Sequence, residues 1–231
     1  TQGSRETVQG LKREALAGHL KPYLVRSNLV LSIFGDITAE QAKELAERYL
    51  AEVPTGPAPR LQNAPPKPNL PCRTKRREPK EQTILLVGFP GVDIRDPRLD
   101  ALTVIENALS GLSSDLGTEV REKRGLVYFV GATDRPGIEP GLFALYAGTR
   151  EETAGQVEKL IDAETARLVQ KGLRREELDR AKSQILAAQD MSLQDNGTLA
   201  QTCALNELYD LGYDYNFKIA ERMRAVTPDR I

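Results

Sequence analysis

The apolar positions change their period several times along the chain, and each change marks an element. Val8, Leu11, Leu16 and Leu20 fall on one side of a helical wheel and predict a helix over residues 6–20. Asn28–Phe34 is a nearly continuous apolar run of strand length, stopped by Gly35-Asp36, and predicts a buried strand. Thr38 and Gln41 have the spacing of a capping box, so a helix starts at Ala39. Ala42, Leu45, Ala46, Tyr49 and Leu50 form its apolar stripe, and it ends before Pro54.

Residues 54–71 then hold seven of the fourteen prolines, at 54, 57, 59, 65, 66, 68 and 71. Proline fixes φ and removes a backbone donor, so this stretch predicts an extended linker and a domain boundary. Beyond it, Gln82–Phe89 predicts a strand, and Asp96-Pro97 opens a helix that runs to about Leu109. Ser113 or Ser114 can cap a second helix, which Gly125 ends. Leu126–Ala132 and Leu142–Gly148 predict two strands of a hairpin across the turn-rich residues 135–141. Thr149 and Glu152 repeat the capping-box spacing. The long helix they predict points Val157, Leu160, Ile161 and Leu168 inward and stops at Gly172. Helical patterns follow at about 175–190, 196–210 and 214–225. Strands first and helices later predict an α+β fold, an antiparallel sheet covered by helices.

The two ends of the chain also resemble each other. Shifted by 215 positions, Glu6, Val8, Leu11, Glu14 and Leu16 fall on Glu221, Met223, Val226, Asp229 and Ile231. Two amphipathic helices could match this well without a duplication.

Composition narrows the function. Thirty-two basic residues against thirty-three acidic ones leave a formal charge of −1, so nothing points to nucleic acid as a partner. Apolar runs such as Ile84–Phe89 are strand-length, far short of the roughly 18–20 residues of a membrane span. Cys72 and Cys203 are the only cysteines and lack metal-ligand spacing. His19 is the only histidine. Hydrolytic zinc sites usually take two or three histidines, so a self-sufficient zinc or Ser-His-Asp centre is excluded in practice, and no metal or cofactor is expected in this chain.

The segment with the most chemical content is Leu116–Tyr128, a charged helix end, a glycine and then a strand. By itself it reads as a solvated Arg121 and a half-buried Tyr128. A sharp reversal at Gly125 could equally aim both side chains into one cleft. Arg-Glu-Lys-Arg-Gly-Leu-Val-Tyr over residues 121–128 resembles the arginine–tyrosine motif of the pitrilysin/insulinase/mitochondrial processing peptidase family of zinc metallopeptidases, the inverzincins. Arg121 and Tyr128 fall on its two polar positions. Ser27–Asp36, Ile84–Pro90, Asn107–Ser114, Glu177–Lys182 and Met223–Ile231 are similar to further family segments in the same order.

The resemblance implies a processing-peptidase-like domain. In that family zinc sits on a helix bearing H-x-x-E-H, which this chain lacks. The arginine–tyrosine pair comes from a different domain and holds the carbonyl of the peptide substrate. Arg121 and Tyr128 are therefore the expected substrate-binding residues, with no catalytic residue and no metal ligand here and with zinc supplied in the complete enzyme by a homologous domain or subunit. The family often has arginine where Asp115 stands, which bears on the wall around the site. The resemblance also implies the alternative of a non-catalytic scaffold or assembly subunit. It divides the chain into residues 1–53, the closing helix–strand–helix of a preceding homologous domain, a linker over 54–71, and a carboxy-terminal peptidase-family domain over 72–231. The last stops before its own closing strand, leaving an open sheet edge. The Asn28–Phe34 strand is expected to fill that edge, within one chain as in a circular permutant or between two chains as a swapped self-association.

Overall fold

The computed structural model describes residues 3–58, 70–111 and 114–231. Pro59, Pro65, Pro66, Pro68 and Ser113, which enter the expected linker and helix cap, lie outside the described residues. The chain divides into two compact units, Thr1–Ala64 with Asn196–Tyr213, and Pro65–Asp195 with Asp214–Ile231.

In the second unit three strands form one antiparallel sheet, β1 (Thr83–Pro90), β2 (Val127–Arg135) and β3 (Leu142–Thr149), in the order β1-β3-β2. Leu85, Val87 and Phe89 of β1 pack on the same buried cluster as Val130, Ala132, Phe143, Leu145 and Ala147. This is the period-two alternation of a sheet with one covered face. A long helix, Glu151–Lys171, covers that face with Val157 and Ile161, both fully buried. Helix Leu99–Leu109 packs its Val104 and Ala108 on Leu178, Ala181 and Ile185 of helix Arg175–Ser192 and on Met223 of helix Ile219–Ala225.

The outer edge of β2 is closed by a side chain. Ser110 Oγ accepts the Ala132 N–H at 3.1 Å and donates to the Ala132 carbonyl at 3.1 Å. The outer edge of β1 has no ladder partner among the described residues.

The first unit contains helices Arg5–Gln9, Arg13–Leu20, Ala39–Tyr49 and Asn196–Leu208. The helix expected over 6–20 is broken at Gly10–Lys12. The Thr38–Gln41 capping box is formed in both directions, at 3.0 and 3.2 Å. Asn28–Phe34, expected as a buried strand, is not one. It starts in a 3-10 turn at Arg26–Asn28 and continues extended with no ladder partner among the described residues. Leu29, Leu31, Ile33 and Phe34 stay 39–53% exposed. A strand needs a ladder to satisfy its backbone, and the three paired strands all lie in the other unit.

Two further expectations shift for local reasons. Thr149 does not cap the long helix, whose N-cap is Arg150, because its hydroxyl is committed to the Leu126 carbonyl at 2.5 Å. Asp96 does not cap Leu99–Leu109 directly. Its carboxylate accepts from the N–H and guanidinium of Arg98, and the helix starts at Leu99, two residues after Pro97. That contact holds the Asp96 carboxyl down at about 2.

The end-to-end similarity has a structural counterpart. Shifted by 215 positions, Arg5–Gln9 falls inside helix Ile219–Ala225. Lys12 and Thr227, which open the next helical turn at each end, have φ, ψ of −106°, 156° and −109°, 163°.

Candidate functional site

Ser114 is 1% exposed, and its hydroxyl accepts the Gly117 N–H at 2.9 Å, starting the short helix Asp115–Gly117. The chain continues into a π-helical stretch, Thr118–Lys123. Such wide turns are rare and concentrate at functional sites. Leu116 and Val120 sink into the core and fix the stretch from below. The Gly125 N–H then closes on the Arg121 carbonyl, and the Leu126 N–H on the Val120 carbonyl, both at 3.0 Å. Gly125 makes this reversal at φ +60°, the left-handed region where a Cβ is disfavoured.

Past the reversal, Thr149 holds the Leu126 carbonyl and β2 begins. Val127 pairs with Thr149 and Phe129 with Gly148, so Tyr128 is an extra residue, a β-bulge. Bulges re-aim side chains and recur beside active sites. Arg121 and Tyr128 thus flank one tightly closed turn, and both side chains are exposed, Tyr128 by 60%. Among the described residues neither side chain has a hydrogen-bond or ion-pair partner. The fold places them together in sequence space on either side of Gly125 and spends neither on its own packing.

Asp115, which stands where the related motif often has arginine, is neutralised from helix Arg175–Ser192 and its N-cap. It forms ion pairs with Arg174 and, at 3.9 Å, with Arg180. Arg174 also reaches Glu177, whose carboxylate takes the Arg174 N–H at 2.7 Å and Arg167 at 3.1 Å. A cavity of about 460 Å³ lies between this network and the π-helical stretch, lined among others by Asp115, Glu119, Lys123, Glu164 and Arg167.

At the far end of β2 a second acidic pair is held at a cost. Both carboxylate oxygens of Asp134 are shielded from solvent without a hydrogen-bond partner. Burial pushes the Asp134 carboxyl up. Burial also pushes up Glu106 on helix Leu99–Leu109, helped by the Asp134 charge and opposed by the Asp134 backbone N–H. A carboxyl raised in the folded state favours folding while protonated, and that contribution is lost as pH rises through the folded value. Asp134→Asn is therefore expected to raise the thermal midpoint at pH 7 and to leave it unchanged near pH 3, where both carboxyls are protonated. Melting curves at the two pH values check this; an equal shift at both would mean that the buried charge is not the cause.

The metal expected of the family does not fit this chain. His19 is exposed and rests against Tyr23 at 5.4 Å between ring centroids. Among the described residues no group of three or more His, Cys, Asp or Glu is placed to hold a metal ion. Among them, too, no helix is long and apolar enough to cross a membrane.

Sequence reasoning missed the aromatic pair beside Tyr128. Phe129 and Tyr146 meet across β2 and β3 with centroids 6.0 Å apart. The signal was a glycine in the facing strand for each aromatic, Gly148 for Phe129 and Gly131 for Tyr146, but it is readable only once the register is known.

A helix-covered antiparallel sheet, with an exposed arginine and tyrosine on either side of a glycine turn, defines an α+β domain. The family model described as peptidase M16 inactive domain matches residues 10–185, and the chain belongs to that family. It is 26% identical over 230 residues to an uncharacterized zinc protease of Bacillus subtilis, covering 99% of this chain and 56% of that one. An uncharacterized zinc protease of Streptomyces coelicolor is 34% identical over 155 residues, 65% of this chain and 33% of its own length. The chain thus spans about half, or less, of the length of these relatives. Among solved structures, a peptidase M16 inactive domain from Pseudomonas fluorescens superposes with a TM-score of 0.85 at 24% identity, over 99% of this chain and 54% of that one. A chain of complex III2 from Candida albicans shares the fold with a TM-score of 0.84 at 18% identity, over 100% and 57%.

Proposed function

We propose that this chain is the zinc-free portion of a pitrilysin-like metalloendopeptidase and that Arg121 and Tyr128 bind the carbonyl of an extended peptide substrate. The observation that carries the reading is that both side chains are exposed and unpartnered on either side of a turn closed by two backbone hydrogen bonds. A guanidinium fork and a phenolic donor suit the negative charge that grows on a carbonyl oxygen as its peptide bond is attacked. The buried Leu116 and Val120 and the Tyr128 bulge fix the backbone that carries them. Zinc and the general base belong to a homologous domain or subunit, a reading supported by the single histidine and by the lack of a metal-holding group among the described residues.

The first unit supports such a partner. No described residue from 3 to 58 is buried, although Leu16, Leu20, Leu24, Leu31 and Ile33 are large and apolar. Residues 1–53 fit the closing piece of a preceding homologous domain, joined by the linker over 54–71 to the peptidase-family domain over 72–231. The matching helix ends, 215 positions apart, support the homology of the two.

The scaffold alternative draws on the likeness to the complex III2 chain, but a scaffold has no use for an exposed, unpaired Arg121 and Tyr128. The test is to combine this chain with the zinc-bearing half from the same source and assay peptide cleavage. Cleavage is expected only from the combination. A zinc-bearing half that is equally active without this chain would leave the scaffold reading standing.

A further inference from the structure

The cavity between the π-helical stretch and the long helix has an apolar floor and a charged rim. Leu116 and Val120 line one wall and are buried, while Leu160 and Ala163 of helix Glu151–Lys171 line the other. Ala163 is exposed and small, and it leaves that wall open. The volume of about 460 Å³ falls within the roughly 300–1,000 Å³ usual for small-molecule sites. Neither Arg121 nor Tyr128 is among the lining residues.

The rim is short of negative charge. On the π-helical wall one carboxylate, Glu119, serves two cations, Lys123 at 3.2 Å and Arg124 at 2.7 Å. At the end of the cavity Asp115 likewise serves Arg174 and, at 3.9 Å, Arg180. Arg167 carries the opposite imbalance, one guanidinium held by both Glu164 and Glu177. Four carboxylates thus face five cations. The shortfall shows at Arg180. Its Nη2 is shielded from solvent and has no hydrogen-bond partner among the described residues, while Asp115 is drawn towards Arg174. A buried donor without an acceptor is costly. Lys123 and Arg174, with side chains 66% and 55% exposed, are free to turn to a new partner.

We propose that this cavity binds a small organic carboxylate with an apolar body, the chemistry shared by the C-terminal residue of a short peptide and by a free aliphatic acid. The apolar body lies on Val120, Leu160 and Ala163 and leaves water. The carboxylate takes charge-assisted hydrogen bonds from Lys123 and Arg174. Arg174 then has a second acceptor, and Asp115 is released towards the unsatisfied Arg180. Other ligand classes fit less well. A cation adds to the excess of positive charge, a neutral ligand leaves the shortfall in place, and a small inorganic anion leaves the floor uncovered. The site stands independently of the reading of Arg121 and Tyr128.

The experiment is calorimetric titration of this chain with N-acetyl-leucine and with 4-methylpentanoate. N-acetyl-leucinamide serves as the neutral control, and acetate as the carboxylate without an apolar body. Saturable binding of a carboxylate is expected with Kd on the order of 1 mM. The amide and acetate should each bind at least roughly tenfold more weakly, one for want of the charge and the other for want of the buried side chain. Tighter binding of N-acetyl-leucine assigns the site to peptide ends, and tighter binding of 4-methylpentanoate assigns it to free acids. Ala163→Trp fills the cavity from an exposed helix position and should weaken binding by about tenfold or more, with the thermal midpoint within a few degrees of the parent. Lys123→Gln removes one exposed cation of the rim and should weaken it roughly threefold. Parent affinity in a folded Ala163→Trp overturns the proposal. Should that variant not fold, parent affinity in Lys123→Gln overturns it instead. So does an amide that binds as well as the acid, or a titration of both carboxylates without saturation up to roughly 20 mM.

Discussion

Replacing Arg121 by alanine, in this chain combined with its zinc-bearing half, is expected to lower kcat for peptide cleavage by about 10²–10³-fold with only a small change in KM. The split follows from the chemistry. A neutral peptide carbonyl gains little from a guanidinium, whereas the oxygen gains much once it carries negative charge, so the loss appears in the transition state. Tyr128→Phe removes one donor, leaves the ring at the bulge, and should fall in the same range. Arg121→Lys should recover only part of the loss, because an ammonium lacks the planar fork. The double variant should lose less than the product of the single losses, since both donors serve one oxygen. Folding should be untouched, as neither side chain has a partner to lose among the described residues. Steady-state kinetics beside a melting curve decide the matter. Full activity in both single variants would remove the proposed role and leave Arg121 and Tyr128 as surface residues of a scaffold.

The largest effect on stability is expected from Glu177→Ala. Glu177 is 2% exposed, yet charged. Its carboxylate takes the Arg174 N–H at 2.7 Å, the Arg174 guanidinium at 3.1 Å and Arg167 at 3.1 Å, while Arg167 also reaches the Gly172 carbonyl at 3.2 Å. One carboxylate thus ties the end of the long helix to the start of the next. Removing it cuts that tie and leaves Arg174 with Asp115 and Arg167 with Glu164 as their remaining carboxylate partners. The expected cost is about 3 kcal/mol, the low end for breaking a buried pair, because both arginines keep some contact with water. For a chain of this size that corresponds to a fall of roughly 10 °C in the thermal midpoint.

The pH dependence separates this effect from simple loss of packing. Burial pushes the Glu177 carboxyl up, but the Arg174 N–H, the Arg174 guanidinium and the Arg167 charge bring it below its ordinary value. A carboxyl lowered in the folded state stabilises above its unfolded value of about 4.3, and this is lost as pH falls through the folded value. The gap between parent and Glu177→Ala should therefore be full at neutral pH and shrink below about pH 4. A gap that stays constant down to pH 3 would assign the loss to packing. The sign is opposite to that of Asp134 and Glu106, where protonation relieves a cost.

Much of the fold was legible because its signals are local. The covered face of β1, the Thr38–Gln41 cap and the stop at Gly172 each follow from residues within a turn or two of one another. The strands at 83–90, 127–135 and 142–149 emerged from period and turn residues within two residues of their predicted starts. Signals that depend on competition misled. Thr149 has the sequence of an N-cap but lies within reach of the Leu126 carbonyl, and that contact wins its hydroxyl. Leu29–Phe34 has the composition of a buried strand, but composition cannot supply a ladder partner, and none is present among the described residues.

The candidate site divides along the same line. By itself the sequence determined that no histidine-based metal centre can be built here, because one imidazole cannot do the work of two or three. It also determined that Arg121, Gly125 and Tyr128 stand in the order of a helix end, a reversal and a strand. Only the tertiary structure decided that both side chains stay exposed, that the Tyr128 position is a bulge, and that Asp115 is neutralised by Arg174 and Arg180. It alone decided that Phe129 and Tyr146 lie over each other's facing glycines. The reason is register: residues far apart in the chain meet only when two strands align at one offset, and that offset is set by the packing of the whole sheet against its helices.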